Sequence, residues 1–432
     1  MTVQTVAADW TWTDRGLSPA VQVSIDKDGR IAGVGGLAAD RPLRLADRLL
    51  LPGFVDAHSH AFQRGLRGAG ERFPEGAGSF WTWREAMYEL VDSLDAEAFR
   101  ELTLRAFREM RGAGITTVGE FHYLHHSPAG DDFAFDDLVL EAAGQAGIRI
   151  VLLAAYYRTG GIGRPLSGGQ LRFRTASLET YAAQLDRLAG RLDPDTQSLG
   201  IVAHSLRAVE PPEVGALYAE ARRRGLPFHM HVEEQRREIE DCRRRWEDPP
   251  MAVILAACGG AEGFTAVHCT HTRSRDMKAF LAAGGRVCLC PTTEANLGDG
   301  IPDLPAMLAA GGGLPCLGTD SNARISMLEE MRWLEYVQRL AGERRGVVVD
   351  GAGAVAAPLL GAATARGAEA LGVAAGAVRT GLWADFALVD LTHPSLAGWS
   401  PETLLPALLL GAGDAAIVNS CVGGRWLHPI EA

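Results

Sequence analysis

Lysine is almost absent from the chain: Lys27 and Lys278 are the only two among its 432 residues, and every other cationic side chain is an arginine. Acidic residues outnumber basic ones, which gives a formal net charge of −11. A surface of this sign does not attract nucleic acid or an anionic membrane. We therefore expect a small-molecule substrate, and an anionic substrate would need locally placed arginines.

Paired cysteines and long apolar runs are missing as well. The seven cysteines are odd in number and form no CxxC motif, so we expect reduced thiols in the core. The first residues show no basic segment followed by an apolar one, and the Ala/Gly-rich segment 351–378 is interrupted by Pro358, Arg366 and Glu369. These absences predict a cytoplasmic protein with no membrane segment.

Short apolar runs alternate with helix-compatible stretches through the middle of the chain. The eight runs are 50–60, 115–123, 149–157, 199–205, 227–233, 264–271, 286–291 and 315–321. This alternation is typical of parallel strands joined by crossover helices. Eight such strands predict a closed (β/α)8 barrel of the TIM type, which we assign to residues 51–379.

Both ends of the chain have the apolar alternation of β-strands. Residues 21–34 contain two apolar runs separated by Asp28-Gly29, a dipeptide typical of a tight turn. Two further strand-like segments, 384–390 and 416–427, lie near the other end. We expect the two ends, residues 1–50 and 380–432, to form one small β-sandwich-like domain beside the barrel.

Ionisable and polar side chains gather at the carboxyl ends of the predicted barrel strands. They are His58, His60, Tyr123, His204, Glu234, His268 and Asp320. In barrels of this class the active site lies at that end, where the loops after the strands meet. The pattern therefore supports the fold and the location of the site together.

A metal site is predicted from histidines on separate strands. His58 and His60 stand at i and i+2 and so project to the same face of a strand. With His231 and Asp320 they form three imidazoles and one carboxylate, which suit Zn²⁺ or another divalent ion and leave a position for water. Two separately packed histidines are the alternative for the first pair, and His229 is a competitor for the role of His231.

The scarcity of lysine also limits the number of metal ions. Many barrels of this type hold two metals bridged by a carboxylated lysine on a middle strand. Here the fourth run ends in residues 203–207, which contain no lysine, while Lys27 and Lys278 lie in other segments. The sequence thus predicts one metal ion per subunit.

Three residues are candidates for proton transfer. Glu234 follows His231 by three positions, so its carboxylate can face the metal-bound water as a proton shuttle; the alternative is one more charge in an acidic and basic run. His268 ends its strand and is favoured over His271 as the second catalytic group. Asp320 is expected both to complete the metal shell and to accept a proton.

These motifs together resemble the aminohydrolase branch of the amidohydrolase superfamily. The motifs are PGFVDAHSH at 52–60, HVEE at 231–234, VHCTH at 267–271 and LGTDSN at 317–322. The resemblance runs from about residue 50 to 390. It implies a metal-dependent hydrolase with the ligands and catalytic residues given above.

Further segments resemble the deiminases of this branch that act on N-formimidoyl-L-glutamate. They are HAFQRG at 60–65, FWTWRE at 80–85, EFHYLHH at 120–126 and HSLR at 204–207. The resemblance implies hydrolysis to N-formyl-L-glutamate and ammonia, a step of bacterial histidine breakdown, by a homodimer. The residues it places near the substrate are Gln63, Arg84, Tyr123, His204 and Arg207.

The two predicted substrate arginines agree with this reading on physical grounds. A glutamyl substrate carries two carboxylates, and guanidinium groups bind carboxylates through paired hydrogen bonds. Arg84 and Arg207 would suit that task, although either alone could be a surface arginine. An aminohydrolase of guanine or another heterocycle is the nearest alternative, and a non-catalytic assembly protein on the same barrel is a more distant one.

Overall fold

The computed structural model describes residues 4–36, 42–71, 73, 76 and 78–430. Its strands are β1 (Gln4–Thr13), β2 (Gly16–Pro19), β3 (Gln22–Ile25), β4 (Ile31–Gly35), β5 (Leu43–Pro52), β6 (Phe54–Ser59), β7 (Ile115–His122), β8 (Arg149–Tyr156), β9 (Gln197–Ala203), β10 (Phe228–Val232), β11 (Phe264–His268), β12 (Arg286–Leu289), β13 (Cys316–Leu317), β14 (Phe386–Asp390), β15 (Ile417–Val422) and β16 (Arg425–Trp426).

The α-helices lie mainly between the middle strands. They are α1 (Phe80–Ser93), α2 (Ala96–Gly112), α3 (Ala134–Ala146), α4 (Leu178–Ala189), α5 (Pro211–Arg224), α6 (Arg236–Trp246), α7 (Pro250–Cys258), α8 (Ser274–Ala282), α9 (Pro291–Leu297), α10 (Leu304–Ala309), α11 (Met327–Gly342), α12 (Ala356–Ala362), α13 (Ala365–Leu371) and α14 (Leu404–Gly411). Within the described ranges, none of these helices combines the length and apolarity needed to cross a membrane.

Local sequence explains why such helices form, and α2 is an example. The Asp95 side chain accepts a hydrogen bond from the Ala98 backbone at 2.8 Å, which caps the first turn. Phe99, Phe107 and Met110 then recur at helical spacing and are all buried. The helix therefore presents an apolar stripe to the barrel and a charged face to solvent.

The predicted barrel is confirmed. Strands β6 to β13 pair in chain order, and every pair is parallel. The last strand meets the first through a parallel bridge between Ser59 and Asp320. There the Asp320 backbone donates to the His58 carbonyl and the His60 backbone donates to the Asp320 carbonyl, both at 2.9 Å.

Several strands end earlier than the apolar runs predict. The strand predicted over 264–271 ends at His268, and the one predicted over 315–321 spans only Cys316–Leu317. Backbone φ angles are positive at Glu233 (53°), His268 (72°) and Asp320 (50°), a conformation that does not continue a strand. Glu234 and Asp320 therefore lie in loops that leave the barrel, His268 is the last residue of its strand, and such strained backbone is often found at functional sites.

The first predicted run, 50–60, is two strands in the structure. β5 ends at Pro52 and belongs to the terminal sheet, whereas β6 begins at Phe54 and belongs to the barrel. The residue between them is Gly53, where a Cβ atom would meet the Thr116 side chain at 2.1 Å. Only glycine lets the chain pass this closely from one sheet to the other.

Strands from both ends of the chain form a second sheet, as predicted. Its order is β16-β15-β14-β5-β1-β3-β4, with β2 paired to β1. Pairing is antiparallel except between β1 and β5. The predicted turn between β3 and β4 contains Gly29 with a φ of 78°. The domain boundaries at 50/51 and 379/380 stay a prediction.

Candidate active site

Three imidazoles and a carboxylate converge at the carboxyl end of the barrel. His58 comes from β6, His60 directly follows it, His231 comes from β10, and Asp320 from the loop after β13. The Nε2 atom of His231 lies 3.2 Å from Nε2 of His58 and 3.4 Å from Nε2 of His60. The Nε2 atoms of His58 and His60 each lie 3.3 Å from the Asp320 Oδ1 atom.

These separations fit a metal ion. Ligand atoms about 2.0–2.1 Å from a tetrahedral zinc ion stand about 3.3–3.4 Å from one another, which is close to the spacing of the donor atoms here. A second set is also compact, because donor atoms of His58, His231, His268 and Asp320 all lie within 4.8 Å of one another. The histidines and Asp320 at this end of the barrel thus form a candidate His/Asp metal site.

Hydrogen bonds to backbone carbonyls orient two of these rings. His60 Nδ1 lies 2.7 Å from the Phe121 carbonyl, and His231 Nδ1 lies 3.0 Å from the His204 carbonyl. A proton on each Nδ1 leaves the Nε2 lone pair facing the centre of the cluster. Burial lowers the pKa of His60 to about 3, and burial together with the neighbouring histidines lowers the pKa of His231, so both rings are neutral and able to ligate.

Asp320 is held in place by a carboxylate that the sequence analysis missed. Asp56 of β6 accepts hydrogen bonds from the Thr319 backbone at 3.0 Å and from the Thr319 hydroxyl at 2.5 Å. Burial raises the pKa of Asp56 to about 7 despite these bonds. The period-two spacing Asp56, His58, His60 was the available signal, since all three share one face of β6.

His268 lies beside the cluster and faces acidic groups on both sides of its ring. Its Nε2 atom is 3.7 Å from Asp320 Oδ2 and its Nδ1 atom is 3.4 Å from Glu294 Oε1. Burial lowers its pKa, but Glu234, Glu294 and Asp320 outweigh burial and raise the pKa to about 10. Glu294, on α9, was not predicted because only the fold brings α9 against β11.

Glu234 is paired with one of the predicted substrate residues. Its Oε2 atom accepts a hydrogen bond from a terminal nitrogen of Arg207 at 2.8 Å; Glu234 is buried and Arg207 is mostly buried. Arg207 Nε donates to the Ser205 hydroxyl at 3.3 Å, and the guanidinium carbon lies 5.4 Å from the centre of the Phe80 ring. The second terminal nitrogen of Arg207 is buried and has no protein partner in the described chain.

An open pocket leads from the surface to these groups. Its volume is about 580 Å³ with the mouth included, within the range usual for small-molecule sites. It brings together every residue predicted for the substrate and most of those predicted for catalysis and metal binding. The lining includes His60, Gln63, Arg84, Tyr123, His204, Arg207, His231, Glu234, His268 and Asp320.

Two predicted alternatives lie away from this pocket. His229 is buried lower in the barrel, where its Nε2 atom lies 3.1 Å from the Ala370 carbonyl. His271 is half-buried, and its backbone donates to the Glu233 carbonyl at 3.1 Å. Neither ring lines the pocket that His268 and His231 share.

Comparison with known proteins decides the family. The sequence model of the amidohydrolase family matches residues 49–427. The chain belongs to the amidohydrolase family. This confirms the resemblance inferred from the motifs at 52–60, 231–234 and 317–322.

Individual members of the amidohydrolase family are similar over almost the whole chain. The formimidoylglutamate deiminase of Pseudomonas aeruginosa is 38% identical over 94% of this chain and 90% of its own. The crystal structure of an amidohydrolase from Brucella melitensis is 32% identical, with a TM-score of 0.89 over 98% of this chain and 94% of that one. The present chain is therefore a hydrolytic deiminase that acts on a C–N bond of a small molecule.

A more distant solved structure shares the fold. The crystal structure of an adenosine deaminase from Xanthomonas campestris with bound zinc has a TM-score of 0.81 and 22% identity, and the match covers 98% of this chain and 92% of that one. Likeness at this identity shows a common barrel and flanking sheet.

Proposed function

We propose that this deiminase hydrolyses N-formimidoyl-L-glutamate to N-formyl-L-glutamate and ammonia, in the degradation of histidine. One observation carries the proposal: two guanidinium groups, Arg84 and Arg207, line the same pocket as the His/Asp cluster. Two arginines beside the reaction centre of an acidic protein can each bind one carboxylate of a dicarboxylate substrate. The likeness to the deiminase of Pseudomonas aeruginosa supports the same substrate.

The proposed cofactor is one zinc ion, with another divalent metal as the alternative. His58, His60, His231 and Asp320 would hold it, because their donor atoms have the spacing described above. A divalent ion supplies a water molecule of lowered pKa, which is a nucleophile near neutral pH. The part of the chain after β9, residues 203–207, provides no lysine for a bridged second ion.

The proposed reaction uses three side chains, two of which transfer protons. Water adds to the formimino carbon as Glu234 takes a proton from it. Glu234 then gives a proton to the terminal nitrogen, the C–N bond breaks, and ammonia leaves. His268 donates a hydrogen bond to the oxygen that becomes the formyl carbonyl, and Asp320 accepts the proton that this oxygen loses as the carbonyl forms.

The remaining pocket residues would hold the glutamyl part of the substrate. Gln63 donates to the Tyr123 hydroxyl at 2.7 Å, and its own amide oxygen is buried with no protein partner in the described chain. The Nδ1 atom of His204 lies 3.1 Å from the Ser205 hydroxyl. We propose that Gln63, Tyr123 and His204 bind the substrate together with Arg84 and Arg207.

An ammonia-release assay tests the proposed substrate. The protein loaded with zinc is compared on N-formimidoyl-L-glutamate, a guanidino analogue and guanine. We expect turnover of the formimidoyl compound to exceed that of guanine by several orders of magnitude. Preference for guanine would replace the proposal with the heterocycle aminohydrolase, and no ammonia from any of the compounds would favour a non-catalytic role.

Metal analysis tests the proposed cofactor. We expect one equivalent of zinc per chain, loss of activity after chelation and recovery on adding zinc. Two tightly bound equivalents per chain would contradict a single site.

Exposed apolar side chains and free thiols bear on assembly and location. We propose a homodimer, because Ile301, Trp333 and Leu340 are exposed apolar side chains that line one groove beside α11. Light scattering should give twice the mass of the chain. We also propose the cytoplasm as its compartment, since all seven cysteines are free thiols.

A further inference from the structure

The Tyr88 side chain lies on the pocket wall beside Arg84, one helical turn further along α1. The Arg84 Nε–H group donates to the Tyr88 hydroxyl at 2.6 Å. The Arg84 guanidinium carbon also lies 5.3 Å from the centre of the Tyr88 ring. Tyr88 therefore fixes the direction in which the two terminal nitrogens of Arg84 point.

A second donor, Gln170, also contacts the Tyr88 hydroxyl. The Gln170 Nε2 atom lies 2.9 Å from the Tyr88 hydroxyl, 3.2 Å from the Gly160 carbonyl and 3.4 Å from the Tyr157 hydroxyl, so Tyr88 is its nearest partner. The orientation of this amide is settled by its oxygen, which accepts a hydrogen bond from the Ser167 backbone at 3.2 Å. Gln170 is buried, so it is a fixed donor toward Tyr88.

These contacts determine what the Tyr88 hydroxyl can still do. A phenol oxygen accepts through its lone pairs and donates one proton. Arg84 can only donate, and Gln170 donates through Nε2, so both contacts use the oxygen as an acceptor. In the described part of the chain the hydroxyl proton has no acceptor within hydrogen-bond distance, and the side chain faces the pocket.

We propose that Tyr88 donates its hydroxyl proton to a carboxylate of the substrate, next to the two terminal nitrogens of Arg84. This inference rests on the proposed function, because it assigns Tyr88 to one of the two carboxylates of the glutamyl group. The resulting site contains donors only. An ionised carboxylate satisfies such a site, whereas an amide nitrogen or a protonated acid would place a hydrogen against a hydrogen.

Steady-state kinetics of Tyr88→Phe provide the test. The substitution keeps the ring and removes the hydroxyl, so we expect KM for N-formimidoyl-L-glutamate to rise about 10-fold or more while kcat changes little. Tyr336→Phe is the matched control, since the Tyr336 hydroxyl donates to the Leu410 carbonyl at 3.3 Å outside the pocket. An unchanged KM in Tyr88→Phe would overturn the inference while leaving the proposed function intact.

Substrate analogues show whether the effect belongs to one carboxylate. The N-formimidoyl derivatives of 2-aminobutyrate and 4-aminobutyrate each retain a single carboxylate of the glutamyl group. We expect Tyr88→Phe to weaken the use of one analogue and to leave the other unchanged. Equal effects on both would contradict a directed contact.

A double substitution separates donation from the support of Arg84. If Tyr88 donates to the substrate, Tyr88→Phe still raises KM when Arg84→Ala is already present. If Tyr88 acts only through Arg84, the second substitution has no further effect and the inference is wrong. A wild-type enzyme with no activity on N-formimidoyl-L-glutamate would overturn the proposed function and, with it, this assignment.

Discussion

Arg207 joins the proposed substrate site to the proposed proton shuttle. One terminal nitrogen donates to Glu234 at 2.8 Å, and the other is buried without a protein partner in the described chain. A buried donor left unpaired costs about 1–3 kcal/mol, so a substrate carboxylate that accepts from it recovers that free energy.

The proposed role of Glu234 predicts the effect of removing its charge. Glu234→Gln retains the shape of the side chain but cannot take a proton, so we expect kcat to fall by about 10²- to 10⁴-fold. Zinc content should be unchanged, because Glu234 is not among the proposed ligands. Kinetics combined with metal analysis provide the measurement.

Glu240→Gln is the control for this substitution, since Glu240 lies in α6, just after Glu234 in the chain, and is exposed. It should behave as the wild type. If Glu234→Gln turned over substrate at a rate near that of the wild type with metal bound, Glu234 would not be the proton shuttle.

Between elements, a close backbone contact of the barrel lies beside the candidate metal site. A Cβ atom on Gly318, after β13, would stand 2.6 Å from the carbonyl oxygen of His58 and 2.7 Å from its Cβ. Backbone atoms of β6 cannot move aside as a flexible side chain can. Glycine at 318 is therefore required for the first and last strands to meet where His58 and Asp320 approach.

Gly318→Ala should separate these two strands. We expect a loss of about 1–3 kcal/mol in the free energy of unfolding, as for other overpacked sites, together with a lower zinc content per chain. Thermal unfolding and metal analysis would show both effects. Gly361→Ala, in α12 with open space around the position, should leave both quantities nearly unchanged; equal behaviour of the two variants would refute the steric argument.

A buried ion pair connects the terminal sheet to the barrel. Arg149 at the start of β8 contacts Asp385, just before β14, through Nε at 2.9 Å and a terminal nitrogen at 3.1 Å. The Arg149 guanidinium carbon also lies 4.1 Å from the centre of the Trp383 ring. Removing one member of such a pair leaves a buried charge without its partner.

Arg149→Met tests the strength of this connection. We expect the free energy of unfolding to fall by about 3–5 kcal/mol, measured by urea denaturation. Arg366→Met removes an exposed arginine whose pair with Glu369 spans one helical turn, and should cost no more than about 1 kcal/mol. Similar losses in the two variants would mean that the buried pair contributes nothing beyond a surface contact.

For the molecule as a whole, a buried charged network makes stability depend on pH. The Asp136 Oδ1 atom lies 2.8 Å from His125 Nδ1 and 3.0 Å from His122 Nε2, and His125 Nε2 lies 2.7 Å from the Ala155 carbonyl. Gln184 donates to the other Asp136 oxygen at 2.6 Å. Because both nitrogens of His125 face acceptors, its ring satisfies them only when doubly protonated.

The pKa shifts in this network set a pH window. Burial would raise the pKa of Asp136, but His125 and His122 outweigh it and hold that pKa well below its usual range. Burial would lower the pKa of His125, but Asp136 raises it above its usual value. The contribution of Asp136 to the free energy of unfolding is complete above about pH 4. The contribution of His125 is complete below about pH 6.5 and is lost as the pH rises through the pKa of His125 in the folded protein.

Asp136→Asn should therefore lower the free energy of unfolding most in mildly acidic solution. We expect the loss in unfolding free energy to be greater at pH 6 than at pH 9, by about 1 kcal/mol or more. Urea denaturation at the two pH values measures it, with Asp92→Asn as an exposed control. A loss that did not vary with pH would show that His125 is neutral in the folded protein.

Much of the architecture could be read from local pattern. The eight apolar runs predicted a parallel barrel, and the two ends predicted a shared sheet, because strand periodicity and crossover spacing depend on near neighbours. The ends of the strands were predicted too late, since the positive φ angles at His268 and Asp320 arise from contacts made only in the closed barrel. The division of run 50–60 at Gly53 was missed for the same reason.

The chain sequence by itself determined the barrel, the flanking sheet and the kinds of side chain available at the carboxyl ends of the strands. Pairings between distant residues were decided only by tertiary structure: Asp56 with Thr319 across 263 positions, Arg207 with Glu234, and Tyr88 with Gln170. Periodicity indicates which face a side chain occupies, whereas a hydrogen bond needs two atoms placed to within tenths of an ångström. Closing the barrel and packing α1 over its mouth supply that placement.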